Sequence, residues 1–281
     1  MCSAGLTMTI EPFHKEDIAS FLKLAFCEGW LVDPWEFDFL LSAFPEGCLC
    51  VRNESGKGIG FVTSLKHECS GWIGNLIVSA QYRGQGIGEA LFLQAFQNLR
   101  ATGANTCWLT ASKQGQSLYE KYGFTAVDSI IRWTGTGRQR HTIPSEQTNL
   151  DSSEQITGYF DCLAWGDRRD TLLAATSGRG TLLLQESGFL VAQPCGEAIQ
   201  FGPFSALNNS TAEHLFNAAL HKVPIGTVVC MDAPASNRSA ILMFNRRRMR
   251  IAGTTELMYA GMKPDYHPKY LFGLATMGSC G

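Results

Sequence analysis

Short apolar segments separated by turn residues predict the strands of the first half of the chain. The turns include Glu54-Ser55-Gly56, which is typical of a hairpin connection. The segments predict strands at residues 8–13, 48–52, 59–65, 71–78, 107–111 and 124–133. Helical spacing of apolar residues predicts helices at residues 15–27, 33–44, 89–99 and 114–122. Asp33 followed by Pro34 is typical of a helix start.

The second half repeats this order in outline. It predicts strands at residues 199–206 and 226–231, a helix at residues 211–220 and another helix starting near Asn237. The stretch between the halves is rich in Thr, Ser, Gly and Gln, which predicts a surface linker at residues 137–152. A chain of 281 residues is long enough for two domains, here predicted at residues 1–136 and 153–281.

A glycine-rich loop joins the strand at residues 71–78 to the next helix, and it reads Arg83-Gly84-Gln85-Gly86-Ile87-Gly88. Glycines let the main chain turn its N–H groups inward, and a helix N-terminus adds partial positive charge. The loop therefore predicts a site for an anionic diphosphate. A nucleoside triphosphate loop would need Gly-Lys-Ser/Thr, and a dinucleotide loop would need a third glycine near residues 89–91. This chain has neither.

A second motif follows at residues 115–124, which read Gly-Gln-Ser-Leu-Tyr-Glu-Lys-Tyr-Gly-Phe. Gly123 is placed as the glycine that ends a short helix. The two motifs in this order resemble the GNAT superfamily of acyl-CoA-dependent N-acyltransferases, whose glycine loop holds the pyrophosphate of coenzyme A. The resemblance implies an α/β (α+β) fold, in which each domain is a mixed, mostly antiparallel sheet flanked by helices.

The repeat in the second half lacks both motifs. Residues 207–211 read Leu-Asn-Asn-Ser-Thr and hold no glycine, and the position that matches Tyr119 is Phe244. The chain therefore resembles a tandem GNAT subgroup whose C-terminal GNAT-like domain is degenerate and no longer binds coenzyme A.

The resemblance also implies which residues hold coenzyme A and its acetyl group. The strand before the loop offers main-chain groups to the pantetheine and the acetyl oxygen, and the loop takes the pyrophosphate. The implied coenzyme-binding residues are Leu76, Ile77, Val78, Arg83, Gly84, Gln85, Gly86, Ile87, Gly88, Glu89 and Ser112. Tyr119 is predicted to be the general acid, because a phenol with a pKa of about 10 can protonate a departing thiolate. Tyr122 is predicted to pack against its own helix.

The general base is left open by the sequence. Many GNAT members have a carboxylate on the strand before the loop, where this chain has Asn75, and an amide cannot take the proton. A water chain, or an amine that arrives neutral, would also serve. The side chains that could act as the base are Glu28, Asp33, Glu36, His67 and Glu68.

Composition narrows the class of protein. A net charge of −2 argues against a nucleic-acid or membrane-surface partner, and the six histidines show no metal-ligand spacing. The ten cysteines include no C-x-x-C pair, which favours reduced, mostly buried thiols. No basic segment followed by a long apolar core opens the sequence, so we expect a cytoplasmic protein. From the histidine spacing we expect no bound metal.

These features predict an N-acetyltransferase that uses acetyl-CoA as co-substrate and acetylates a primary amine of a small molecule by direct attack in a ternary complex. The second domain is predicted to shape or cover the acceptor site. Two alternatives are a non-catalytic acyl-CoA-binding sensor or interaction module, and a protein lysine or N-terminal acetyltransferase. The basic run from Arg246 to Arg250 is interpreted as a solvated helix end or as a site for an anionic group. The acceptor, acyl-chain preference and oligomeric state are left open.

Overall fold

The computed structural model describes residues 9–138 and 150–281. Each strand and helix predicted for the first half is present, at bounds shifted by a few residues. The elements of this half are β1 (Ile10–Pro12), α1 (Ile18–Cys27), α2 (Pro34–Ala43), β2 (Leu49–Arg52), β3 (Gly58–Lys66), β4 (Ser70–Val78), α3 (Ile87–Ala101), β5 (Thr106–Ala111), α4 (Gln116–Glu120) and β6 (Thr125–Thr136). The predicted start of α2 is confirmed, because Asp33 Oδ1 accepts a hydrogen bond from Trp35 N at 2.9 Å.

The second half begins with two helices that the sequence pattern did not predict. Its elements are α5 (Leu150–Trp165), α6 (Asp170–Arg179), β7 (Thr181–Gln185), β8 (Gly188–Cys195), β9 (Ala198–Ala206), α7 (Asn209–Lys222), β10 (Val228–Pro234), α8 (Arg238–Arg246), β11 (Arg250–Gly261) and β12 (Leu271–Gly273). Most of the predicted linker lies at residues 139–149, outside the described residues. Residues 150–152 belong to α5 rather than to a linker. Among the helices described, none is both long and apolar enough to cross a membrane.

Both halves share one sheet. Its strands follow the order β1-β2-β3-β4-β5-β11-β6-β10-β9-β8-β7, and β12 pairs with β9. The pairs β4–β5 and β9–β10 are parallel, and the other neighbours are antiparallel. The sheet is therefore mixed and mostly antiparallel, as the resemblance implied.

The central strands are exchanged between the halves. β11 comes from the second half but lies between β5 and β6 of the first, while β6 pairs on its other edge with β10. β11 covers the whole of β5, from Glu256 opposite Ala111 to Gly261 opposite Thr106. The strands of each half therefore complete the sheet of the other, and the domain ranges 1–136 and 153–281 stay a prediction.

An ion pair and an aromatic cluster hold this junction together. Arg132 on β6 donates from Nε and Nη2 to Asp232 on β10, at 2.9 and 2.8 Å. Trp165 on α5 packs edge to face on Trp72 and Trp108, with ring centroids 5.8 and 5.5 Å apart. Because large rings from both halves are buried together, the junction is a continuous core.

The helices cover opposite faces of the first half's sheet. Phe61 on β3 packs against Phe13 and against Phe21 of α1. The neighbouring residue Gly60 faces Ile87 of α3, since successive strand residues point to opposite faces. α2 lies with α1, and α4 lies with α3.

Candidate active site

Strands β4 and β5 diverge partway along their length. They pair in parallel only at Ser70–Trp72, although β4 continues to Val78. Leu76, Ile77 and Val78, the residues predicted to bind the acyl end of the coenzyme, lie beyond this point. The edge of β4 that faces β5 therefore has no strand partner there. It is open to a ligand except at Val78 O, which accepts a hydrogen bond from Arg83 Nε.

A bulge in β4 precedes these three residues. The register with β3 shifts between Phe61 and Thr63, and Asn75 adopts a positive φ of 55°. Asparagine enters this left-handed region more readily than most residues. Its Nδ2 donates to Glu36 Oε1 at 2.7 Å and to Thr63 Oγ1 at 3.1 Å, which fixes the bulge. Gly74 directly before Asn75 was the signal in the sequence, because glycine inside a strand often marks a bulge.

The glycine loop, residues 83–88, presents unpaired donors. Gly84 and Gly86 have φ values of 76° and 81°, and Gly86 caps α3. In the described part of the chain, the main-chain N–H groups of residues 84–89 find no hydrogen-bond acceptor. A Cβ added at Gly84 or Gly86 would meet no atom within 4 Å, so this side of the loop is open. Donors at the positive end of a 15-residue helix fit the pyrophosphate of coenzyme A.

Arg83 anchors the loop to its surroundings. Its Nε donates to Val78 O at 2.9 Å, and its guanidinium forms an ion pair with Glu28 after the end of α1. Gln85 is exposed. A Cβ at Gly88 would stand 3.5 Å from a methyl group of Val78, an ordinary contact, so sterics do not require glycine at that position.

The other predicted coenzyme ligands lie at the first turn of α3 and before α4. Ile87 is buried in the core. Glu89 accepts a hydrogen bond from the Tyr122 hydroxyl at 2.6 Å. Ser112 is exposed, and its Oγ accepts from Gly115 N at 3.2 Å. The ring of Tyr122 packs on Phe92 of α3 with centroids 5.6 Å apart, and its hydroxyl is held by the same helix. Its packing against its own helix stays a prediction.

Tyr119 is buried on α4, on the face covered by α3. Its ring packs on Phe92 and Phe124 with centroids 5.1 and 6.1 Å away. Within the described residues its hydroxyl has no hydrogen-bond partner. Burial raises the pKa of Tyr119 to about 12. The phenol is therefore a weaker acid than the ordinary one assumed from the sequence, and it stays protonated at neutral pH.

Of the five candidate bases, the structure brings Glu36 to the bulge. Glu36 lies on α2, on the face opposite Tyr119, and is buried. Burial raises the pKa of Glu36, and hydrogen bonding from Asn75 and Ser279 acts in the opposite direction. A raised pKa brings a carboxylate closer to the range suited to a general base.

The other four candidates are engaged or distant. Glu28 pairs with the loop arginine. Asp33 caps α2 and pairs with Arg179 at 2.8 Å; burial acts to raise the pKa of Asp33, but these hydrogen bonds lower it overall. His67 and Glu68 lie in the turn between β3 and β4, at the end of β4 remote from the glycine loop. Burial lowers the pKa of His67 well below its usual value.

A narrow crevice runs from Glu36 between the two halves. Its second-half wall includes Arg179, Gln193, Thr276 and Met277, and its volume is about 10 Å³, room for about one water. Sequence reasoning missed these residues, because they lie far from Glu36 in the chain and no local motif links them.

The second half has no counterpart of the glycine loop. Asn208 Oδ1 accepts from Thr211 N at 2.9 Å, so the start of α7 is capped by its own side chain. Phe244 packs on Phe216 with centroids 5.4 Å apart, much as Tyr119 packs on α3. In place of the two motifs, the second half has a side-chain helix cap and a buried phenylalanine.

The basic run lies at the end of α8. Arg246 pairs with Glu213 at 3.0 Å, and Arg247 Nε donates to Asn217 Oδ1 at 2.8 Å. These contacts with α7 favour the interpretation of the run as a solvated helix end.

Comparison with known families agrees with this architecture. Residues 45–126 match one acetyltransferase (GNAT) domain model, and residues 159–273 match a second acetyltransferase (GNAT) domain model. Together the matches span well over half of the chain. The protein belongs to the GNAT acetyltransferases, with two such domains in tandem, and it is an acyltransferase.

Relatives of similar length exist. A holothin acyltransferase from Pseudoalteromonas sp. (strain SANK 73390) is 24% identical, over 96% of this chain and 94% of its own. A solved structure of a candidate acetyltransferase from Pyrococcus horikoshii has a TM-score of 0.83 at 20% identity, covering 100% of this chain and 98% of its own. A GCN5-related N-acetyltransferase from Sphaerobacter thermophilus has a TM-score of 0.67 at 14% identity, covering 96% and 98%. At these identities the solved structures support the fold.

Proposed function

We propose that the protein transfers an acetyl group from acetyl-CoA to a primary amine of a small molecule, in a ternary complex. The observation that carries this proposal is the glycine loop, whose unpaired N–H groups at residues 84–89 stand beside the diverging strands β4 and β5. Residues 83–89 and Ser112 would hold the coenzyme, and residues 76–78 its acyl end. Acetyl-CoA supplies the activated acyl group.

Glu36 and Tyr119 each carry out one of the two proton transfers, from opposite faces of β4. Glu36 accepts the proton that the amine loses as its nitrogen bonds to the acyl carbon. Tyr119 donates a hydrogen bond, and finally its proton, to the sulfur as the carbon–sulfur bond breaks. Because the pKa of Tyr119 is about 12, its proton moves only once negative charge has built up on the sulfur.

The crevice beside Glu36 favours a small acceptor. Arg179, Gln193 and Met277 close it from the second half, and a space of about 10 Å³ leaves room only for the thin end of an amine. The full-length relative is named for an acceptor, holothin, so small amines are the first to test. The free thiols of the described cysteines support a cytoplasmic location for this chemistry.

Release of coenzyme A thiol, measured with benzylamine, tyramine, spermidine and lysine peptides, tests the proposal. We expect amine-dependent release with at least one small amine. Binding of coenzyme A without release would favour a sensor. Release with the peptides alone would favour a protein acetyltransferase.

Glu36→Gln is expected to lower kcat/KM by about 10²- to 10⁴-fold, because the amide cannot accept the proton. Its Oε1 can still accept from Asn75, so the bulge should persist and coenzyme A affinity should stay unchanged. The rate of the wild-type enzyme should fall as pH decreases through the raised pKa of Glu36, and this acid limb should disappear in the variant. Glu54→Gln is the control, because that carboxylate is exposed in the turn between β2 and β3 and should leave the acid limb in place.

Tyr119→Phe is expected to lower turnover by about 10²-fold or more while coenzyme A affinity changes little. The ring that packs on Phe92 is retained, so only the proton donor is lost. Tyr122→Phe removes a hydroxyl that bonds Glu89 and is the matched control. Equal turnover of the Tyr119 variant and the wild type, under conditions where chemistry limits the rate, would assign Tyr119 to packing alone.

A further inference from the structure

Residues 274–281, here called the closing segment, lie across the gap between the diverging strands. Gly278 O accepts from Trp72 Nε1 at 3.2 Å and from Thr110 Oγ1 at 3.1 Å. Trp72 belongs to the last pair that β4 forms with β5, so these bonds bridge the two strands just where they separate. The segment belongs to the second half, but it covers the paired end of a gap in the first.

The closing segment lies on the face of the gap that α1 and α2 cover. A Cβ added at Gly74 would lie 2.2 Å from Ser279 O and 2.8 Å from Ser279 Cα, so the main chains of the segment and β4 are in direct contact. Gly74 pairs with Thr63 of β3. Thr63 shares a face with Phe61, two residues earlier in the strand, and that face packs on α1.

The opposite face of the same end is closed by the core under α3. A Cβ at Gly71 would lie 2.6 Å from a methyl group of Leu99 on α3. Ile73, two residues after Gly71, is buried on that side. Leu109 is also buried, and it points away from the closing segment because it alternates with Thr110 along β5. The gap between β4 and β5 is therefore blind at its paired end.

Hydrogen bonds fix the closing segment in this position. Thr276 Oγ1 accepts from Cys280 N at 2.8 Å and from the Ser279 hydroxyl at 3.0 Å, and all three residues are buried. Met277 O accepts from Arg132 Nη2 on β6 at 2.9 Å. The segment is thus a folded loop tied to the sheet, and its main chain forms the wall at the blind end.

The blind end is close to residues 76–78, which would hold the acyl end of the coenzyme. Leu76 is two residues beyond Gly74, roughly 7 Å along an extended strand. At bond lengths of about 1.5 Å, a chain of about five carbons spans that distance. The crevice beside Glu36 is no second outlet, because it holds about 10 Å³ and Met277 of the same segment forms part of its wall. A long acyl chain therefore meets the closing segment in both directions.

We infer that Gly278 and Ser279, with Met277, determine the acyl-chain preference by limiting the length of chain that fits. Acetyl-CoA and propionyl-CoA are then donors, and hexanoyl-CoA is excluded. This inference rests on the proposed function, in which residues 76–78 hold the acyl end of the coenzyme.

Isothermal titration calorimetry of the full chain with acetyl-, propionyl- and hexanoyl-CoA, without any amine, tests the limit. We expect hexanoyl-CoA to bind at least about 10-fold more weakly than acetyl-CoA, because even one methylene that does not fit costs about that factor. Failure of acetyl-CoA itself to bind would mean that the proposed coenzyme site is wrong. Binding of acetyl-CoA together with equal or tighter binding of hexanoyl-CoA would overturn this inference alone.

Thr110→Val tests whether the closing segment forms the limit. It removes the donor to Gly278 O with little change in volume. The affinity difference between acetyl-CoA and hexanoyl-CoA should narrow by about 2- to 10-fold, because one hydrogen bond that holds the segment is lost. Thr110→Ser retains the donor and should keep the wild-type difference. Thr134→Val is the matched control, because the Thr134 hydroxyl donates to Arg250 O on β11, away from the gap.

Met277→Ala tests the same limit from the crevice side. Shortening this side chain widens the crevice wall, so the difference between the two acyl-CoAs should again narrow. Met262→Ala is the control, because that side chain is exposed. Circular dichroism melts establish that each variant is folded. A wild-type difference that persists unchanged in folded Thr110→Val and Met277→Ala would place the limit elsewhere and overturn the inference.

Discussion

Gly86→Glu is expected to weaken coenzyme A binding by at least about 10²-fold. The wild-type chain should bind one coenzyme A, because the second copy of the loop has no glycine and Asn208 already caps α7. Gly86 has a φ of 81° and faces open space, so a glutamate there costs about 1–2 kcal/mol in backbone strain. The larger effect is that its carboxylate occupies the diphosphate site and repels the phosphates. Isothermal titration calorimetry measures both stoichiometry and affinity.

Gly103→Glu is the matched control for this variant. Gly103 has a φ of 84° and, like Gly86, would place a Cβ within 4 Å of no other atom. It follows the other end of α3, about 22 Å away at 1.5 Å per residue. Both variants should therefore lose similar stability, but Gly103→Glu should bind coenzyme A normally. Two equivalent sites in the wild type, or normal binding by Gly86→Glu, would contradict the assignment of the loop.

A chain that ends at Arg138 is expected not to fold. It keeps the glycine loop, Glu36 and Tyr119, but it lacks β11, so β5 loses the partner that covers it from Thr106 to Ala111. Trp72 and Trp108 would also lose the Trp165 ring that packs on both. Unpaired strand edges and exposed aromatic surface favour aggregation over a folded monomer. Circular dichroism melts and size-exclusion chromatography should show no cooperative transition and no monomer.

Adding the missing half as a separate chain should reverse this outcome. Residues 150–281 carry β11 and lack β6, so each fragment supplies the strand that the other needs. Co-expression should therefore yield a soluble complex that binds coenzyme A. A cooperative melt and coenzyme A binding by residues 1–138 alone would show that β11 is dispensable, which the pairing argues against.

The parts of the site that depend on neighbouring residues could be predicted. The glycine loop and the Asp33-Pro34 helix start each follow from a short motif whose geometry is local. The burial that raises the pKa of Tyr119 was not predicted. The choice among the candidate bases could not be predicted in this way. It depends on α2 meeting the bulge at Asn75, and in a sequence Glu36 looks like any carboxylate in the first turn of a helix.

The strand exchange also could not be predicted from the sequence pattern. The sequence pattern predicted the strand at residues 124–133 but none at residues 250–261. Even with both β6 and β11 recognised, either strand could pair with β5 and satisfy the same alternation of side chains. The partner is decided by the packing of the whole sheet. For the same reason the close approach of Ser279 to Gly74 gave no signal, because it exists only after the halves have joined.

The exchange also sets the order in which the protein can mature during synthesis. The ribosome makes β5 long before β11, so the first half emerges with a central strand that lacks its antiparallel partner. That half cannot finish folding before residues 250–261 have been made. The pairing of β11 with β5 joins residues that are far apart in the sequence, so it has a high contact order. A nascent or prematurely terminated chain would then carry the glycine loop without the completed sheet around it.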